Sequence, residues 1–324
     1  MRPLAPFVLL AALALPAGAS DPLAHTYSIV ARDPATGDLG VAVQSHWFQV
    51  GAMVAWAEAG VGAVATQSFV EPAYGPRGLA AMREGKGAKE ALDALLAADP
   101  QRAVRQVAMV DAQGGVAAWT GERCIAAAGH ATGEGFSVQA NLMDKDTVWP
   151  AMAKAYREAQ GDLAARMLAA LVAAEAEGGD IRGRQSAALL VVRGKPTGIP
   201  GHDTVVDLRV DDHPDPLGEL ARLLGVHRAY DEMNRGDEAF AANEVERALG
   251  HYTRASELAP GVPELPFWQA VTLFAAGEEE RAMPIFARVF AAEERWRRLV
   301  PRLPAAGLLP DDPAKIEKIL GVRP

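Results

Sequence analysis

The stretch TYSIVARDPATGDLGVAVQS, residues 26–45, carries the reading of the fold. Residues 26–32 and 39–45 mix β-branched and small apolar side chains with polar ones, the pattern of two paired strands. Asp33, Pro34, Ala35, Thr36, Gly37 and Asp38 lie between them and supply the turn chemistry of a hairpin connection. A second strand pair is expected at residues 52–57 and 62–66.

Further out the period changes. Gly75, Pro76 and Arg77 introduce a helix over residues 79–83, and Ala91, Leu92, Leu95 and Leu96 give residues 88–98 one apolar helical face. Strands resume at 105–111 and 116–120 around Gln113, Gly114 and Gly115, with another inside 135–141. Two helices, 149–158 and 163–177, end at Gly178 and Gly179. Strands at 187–192 and 204–210 complete the set. This order predicts two facing sheets with helices on both outer faces, a four-layer αββα sandwich of the α+β class spanning residues 25–212.

Asp211 to Pro216 form a polar, proline-bearing boundary, and beyond it the chain reads as helix. Asn243, Ala248, Tyr252 and Ala255 recur 34 residues later as Gly277, Ala282, Phe286 and Val289. That period, with small residues letting helices approach and an aromatic filling the gap, resembles a tetratricopeptide array. An all-α tetratricopeptide-like domain is expected over 217–303, with a leading helix at 217–236, a trailing segment at 296–303 and a tail at 304–324. The array reads equally as a packing or dimerisation module and as a recognition module.

At the other end, Arg2, the apolar run 7–15, Pro16 and the small residues Ala17, Gly18 and Ala19 form the pattern of a cleavable signal peptide, residues 1–19. The run is shorter than the roughly 20 residues a membrane span needs. A periplasmic or secreted protein is expected, with no membrane span.

Composition narrows the chemistry. The chain has 324 residues, half of them hydrophobic, and a net charge of -9. Without a basic stripe it is a poor partner for nucleic acid. The one cysteine, Cys124, can close no intrachain disulfide and reads as a small core residue. No two of the seven histidines share a metal-binding spacing, and the sequence has neither a glycine-rich phosphate loop nor a dinucleotide fingerprint, so neither a metal nor a cofactor is expected. The nucleophile elbow G-x-S-x-G is absent, and Ser45 and His46, adjacent on a strand, point to opposite faces.

Three polar clusters remain: Asp180, Arg182 and Arg184 in the loop 178–186; Thr66, Gln67, Ser68 and Glu71; and Gln139 with Asn141. The first can clamp a carboxylate or brace itself. The others read as site residues or as strand-end caps.

The segments TYSIVARDPATGDLGVAVQS, AEAGVGAVATQSFVEPAYGPRGL (57–79), VQANLM (138–143) and GGDIRGRQSAALLV (178–191) resemble domain-of-unknown-function family 1028 over about residues 26–210. Its fold is similar to the N-terminal-nucleophile hydrolases, and the helical tail resembles a peptidoglycan-binding or tetratricopeptide-like extension. The resemblance implies hydrolysis of a small or peptide-like amide. Thr26 would be nucleophile and, through its own α-amine, base, with Asn141 and Gln67 as catalytic partners. Ser45, Thr66, Ser68, Asp180, Arg182 and Arg184 would contact substrate. An α-amine titrates near 7.7 to 8.0, which suits a base at neutral pH.

Two departures stand against this pattern. Cleavage after Ala19 leaves Thr26 internal, and no lysine precedes Lys86 to support the nucleophile. A non-catalytic cell-envelope module that binds peptide or glycan, with a cell-wall or protein partner on the tail, is the alternative. Assembly into homo-oligomers suits either reading.

Overall fold

The computed structural model describes residues 23–199 and 201–323. The signal-peptide segment, residues 1–19, lies outside the described residues.

The elements run in chain order as β1 (Leu23–Ala24), β2 (Thr26–Arg32), β3 (Leu39–Ser45), α1 (Val50–Val54), β4 (Ala55–Glu58), β5 (Gly62–Phe69), α2 (Tyr74–Arg83), α3 (Ala88–Ala98), β6 (Arg105–Asp111), β7 (Val116–Thr120), β8 (Gly129–Gly133), β9 (Phe136–Ala140), α4 (Val148–Glu158), α5 (Leu163–Ala176), β10 (Ser186–Val192), β11 (Thr204–Val210), α6 (Pro216–Ala241), α7 (Val245–Leu258), α8 (Glu264–Ala275), α9 (Glu279–Ala292) and α10 (Pro313–Leu320). The chain divides into two compact units at Val205 and Val206, inside β11.

The first unit is a mixed α/β body with two antiparallel sheets. One sheet has the order β1-β5-β6-β7, with β4 also on β5; the other has the order β11-β10-β3-β2-β9-β8. The β2–β3 hairpin is in full register, Thr26 opposite Ser45 and Arg32 opposite Leu39. Asp33 fixes its turn by accepting the Ala35 and Thr36 amides on Oδ1 at 2.8 and 3.1 Å, a short acidic side chain mimicking a backbone acceptor.

Side-chain alternation sorts the faces. Val30, Val41, Val43, Ala63, Ala65, Ala108 and Val110 share one apolar cluster between the sheets. Val64, Val107 and Met109 face the other way and cluster with Leu79 and Met82 of α2 and Leu92 of α3. Helices α4 and α5 pack on the opposite sheet, where Met167 of α5 closes on Gly40 so tightly that a Cβ there would lie 2.5 Å from its methyl.

Three local expectations are corrected. Residues 50–54 form the short helix α1, so the predicted strand at 52–57 shrinks to β4. Strand β8, the glycine-rich GHATG, escaped prediction because glycine has little strand preference and the segment lacks β-branched apolar residues. Cys124 is half-buried, its thiol donating to the Arg105 carbonyl at 3.3 Å and pushed up in pKa by burial.

The second unit is helical. Ala248, Tyr252 and Ala255 and their counterparts Ala282, Phe286 and Val289 are all buried in one cluster. Asn243 and Gly277, the first pair of the repeat, both take the left-handed backbone, at φ 64° and 86°. Those are the conformations that end α6 and α8 and turn the chain into α7 and α9. The trailing segment at 296–303 forms short 3-10 turns, and the tail at 304–324 contains the helix α10. No helix among the described residues is long and apolar enough to cross a membrane.

Candidate active site

The apolar layer between the sheets ends abruptly at one end of the first unit. There β2 begins, β3, β5 and β9 end, and β6 and β10 start. Inward-facing positions change from valine and alanine to Ser28, Gln67, Gln106, Gln139 and Asn141, all fully buried.

Each amide in this layer has a direction. Gln67 accepts the Ser28 hydroxyl at 2.7 Å and donates to the Thr26 carbonyl at 3.0 Å and to Gln106 Oε1 at 2.7 Å. Asn141 donates to the same Gln106 oxygen at 2.9 Å. Gln106 in turn donates to the Ala140 carbonyl and the Thr120 hydroxyl, both at 2.9 Å. Asn141 Oδ1 is left to accept from His25 Nδ1 at 2.8 Å, which places the ring proton on Nδ1. Burial lowers the His25 pKa, the Asn141 hydrogen bond opposes this, and the Arg182 charge adds to it. Buried amides cost several kcal/mol when unpaired, so this mutual satisfaction is what lets the layer exist.

His25 sits where the chain crosses between sheets. Leu23 and Ala24 pair with Phe69 and Ser68 of β5 in one sheet, and Thr26 opens β2 in the other. Ser68 takes a left-handed backbone at φ 73° at this corner. The His25 carbonyl, which begins the peptide bond to Thr26, accepts two side-chain hydrogen bonds: from Ser45 Oγ at 2.5 Å and from Arg182 Nη2 at 2.7 Å. Arg182 is held in turn by Asp180, through Nε at 3.0 Å and Nη2 at 2.6 Å. Asp180 Oδ2 also accepts the His46 amide at 3.2 Å. The guanidinium is therefore fixed by a buried carboxylate and aimed at one backbone oxygen.

Of the residues expected at a site, the fold brings together Thr26, Ser45, Gln67, Asn141, Asp180 and Arg182, with Ser68 at the corner. Thr66 is one residue out of phase: its hydroxyl points to the other face and donates to the Glu71 carbonyl at 3.2 Å. Arg184 pairs with Glu175 of α5 at 2.7 Å, on the outer face, where Glu175 also accepts the Tyr27 hydroxyl at 2.6 Å. Sequence reasoning missed His25, Ser28 and Gln106. The polar alternation of Gln106, Ala108 and Val110 along β6 was the available signal for the last. Among the described residues no three His, Cys, Asp or Glu side chains group as metal ligands would.

The model of a family of unknown function, DUF1028, matches residues 26–220, more than half of the chain. The chain belongs to the DUF1028 family. A DUF1028 crystal structure, that of protein SPO2555 from Silicibacter pomeroyi, is similar to it at 32% identity, over 62% of this chain and 88% of that one, with a TM-score of 0.56. No functionally curated protein matches the chain. The DUF1028 match begins at Thr26, the residue after the bond that Ser45 and Arg182 hold.

Proposed function

We propose that this protein is an exported N-terminal-nucleophile amidohydrolase that cuts its own chain between His25 and Thr26. The two facing sheets with helices on their outer faces are read as the four-layer αββα sandwich of that class, and the second unit as a tetratricopeptide-like extension. Export to the periplasm or out of the cell rests on the N-terminal sequence pattern.

One observation carries the reading: the paired donors Ser45 Oγ and Arg182 Nη2 on the His25 carbonyl oxygen. Donors fixed on a carbonyl stabilise the negative charge its oxygen gains when the carbon is attacked. The Thr26 hydroxyl lies within a five-membered ring of that carbon by chain connectivity alone. Its oxygen adds to the carbon, and the bond from the His25 carbon to the Thr26 nitrogen breaks. The nitrogen takes the hydroxyl proton, leaving an ester on Thr26 Oγ. Water hydrolyses the ester, releasing the His25 carboxylate and leaving Thr26 with a free hydroxyl and a free α-amine.

The freed Thr26 then repeats the chemistry on a substrate amide. Its α-amine takes the hydroxyl proton and returns it to the departing amine, a role no guanidinium can fill because it does not deprotonate. Ser45 and Arg182 then serve the substrate oxygen as they had served that of His25. Gln67 and Asn141 hold the Thr26 carbonyl, at 3.0 Å through Gln67 Nε2 and 3.1 Å through the Asn141 backbone N–H, and keep the nucleophile in register.

A β-lactone probe tests the catalytic half. The processed protein should gain one acyl mass on Thr26, and Thr26→Ala should gain none. Labelling elsewhere, or none in protein shown to begin at Thr26, sinks the hydrolase reading. One observation favours the rival binding module: in the uncut chain Thr26 is wholly buried and offers solvent no nucleophile.

A further inference from the structure

Strand β2 runs from Thr26 to Arg32, roughly 20 Å at about 3.3 Å per residue, and its far end opens on a second concavity. This concavity has a volume of about 480 Å³, and its walls include Arg32, Arg157, Arg166, Phe136, Tyr156 and Glu134. Its construction is unlike that of the Thr26 end: guanidinium groups on aromatic rings replace the buried amides.

The arginines are positioned. The Phe136 and Tyr156 rings lie 4.6 Å apart, centroid to centroid. The Arg157 guanidinium stands 5.2 Å over the first ring and that of Arg166 stands 4.5 Å over the second. Arg32 is tethered by its Nε, which donates to the Ala112 carbonyl at 2.8 Å and leaves its two terminal nitrogens to other partners. A cation held over a ring pays less entropy to bind an anion than a free surface side chain does.

The charges do not cancel. Arg166 has Asp33 at 3.5 Å, and that carboxylate already caps the hairpin turn. Arg32 and Arg157 have no carboxylate within ion-pair distance among the described residues. Glu134, the remaining acid of the wall, is exposed at its rim. Two fixed cations facing one concavity in a chain of net charge -9 run against the overall balance. We propose that this concavity binds a small dianionic oxyanion group, carried by a phosphate monoester or by a short dicarboxylate. Planar guanidinium forks match the oxygens of both. The proposal does not rest on the hydrolase reading.

Isothermal titration of the full-length protein at low ionic strength, with inorganic phosphate and malonate in separate runs and chloride as the control, tests it. At least one of the two should bind saturably with one site per chain, and the tighter of them identifies the group. Arg157→Gln should weaken that binding about tenfold, the loss of one charge-assisted hydrogen-bonding partner. Glu134→Gln should tighten it about threefold by removing a like charge at the rim. Both residues are exposed, so both variants are expected to fold. No saturable binding of either anion, or an affinity that neither variant changes, overturns the proposal.

Discussion

The sandwich and the helical tail bury their interiors by different chemistry. In the tail, Tyr252, Phe267, Phe274, Phe286 and Phe290 fill one apolar cluster, and its few polar contacts include the Tyr252 hydroxyl, which donates to Asp237 at 2.8 Å and accepts from Thr272 at 3.4 Å. The sandwich is just as apolar through most of its middle layer, then gives way to Ser28, Gln67, Gln106, Gln139 and Asn141 at one end. Even that network leaves the buried oxygens Ser137 Oγ and Gln139 Oε1 without a protein partner. An apolar filling would have been the cheaper way to close that end. What differs between the regions is the presence, in one of them, of a peptide bond with two side chains aimed at it. The tail buries single polar groups, Glu232, Gln269 and Thr272 among them, whereas the sandwich end gathers five into one layer.

Single substitutions in either region should expose the difference. The largest expected effect is in the tail, where Phe286→Ala should cost about 4 kcal/mol, the loss of a fully buried ring and the cavity it leaves. Urea unfolding followed by peptide-resolved hydrogen exchange would locate the loss in residues 206–323, with protection of the sandwich strands unchanged. Next comes Gln106→Leu, which strands donors on Gln67 and Asn141 and the Ala140 carbonyl. About 3 kcal/mol should be lost from the sandwich although the substitution adds apolar surface. A variant as stable as wild type would show that the amide layer is incidental.

Ser45→Ala should slow self-cleavage about a hundredfold, the typical result of deleting one oxyanion donor, while leaving the fold in place. A time course of intact mass checks it, and an unchanged rate would remove Ser45 from the mechanism.

The smallest effect is in acid. Burial lowers the His25 pKa below its ordinary 6.5, so below pH 6.5 the unfolded chain binds a proton that the folded one refuses. Sandwich stability should therefore fall as the pH drops from 6.5, with His130, lowered by the same cause, adding to it. In the tail, burial alone would raise Glu232, but the His251 hydrogen bond and the Arg235 and Arg254 charges hold it below its ordinary 4.5. That contribution is present above pH 4.5 and is lost as the pH falls further. At pH 5.5, hydrogen exchange of the uncut Thr26→Ala chain, corrected for intrinsic rates, should show the sandwich loosened and the tail intact, with a further His25→Gln substitution reducing the difference. Equal loosening of both units would contradict the assignment.

The same contrast sets what the sequence could disclose. The β2–β3 hairpin, β6, β7, α3 and β11 fall where periodicity and turn residues predict them, because local preference and burial agree there. The 34-residue spacing also picked out Ala248, Tyr252 and Ala255 and their counterparts Ala282, Phe286 and Val289, all buried in one cluster. The site was legible only in part. Gln67 and Asn141 stood out as polar residues at strand ends, and Thr26 came from the family resemblance, but which face each points to depends on register, and Thr66 fell on the wrong one. His25 was invisible because its role comes from a chain crossing between two sheets, a tertiary event without local pattern. Gln106 was invisible because one polar residue in a strand looks like any solvent-facing one until the second sheet covers it. Strand β8 escaped because pairing with β9, and not its own composition, makes GHATG a strand.

N-terminal sequencing of the purified wild-type protein beside Thr26→Ala reads the self-cleavage itself. The wild-type chain should begin at Thr26, and the Thr26→Ala chain should retain His25. A wild-type chain that keeps His25 after prolonged incubation would contradict it, as would a Thr26→Ala chain cut at the same bond.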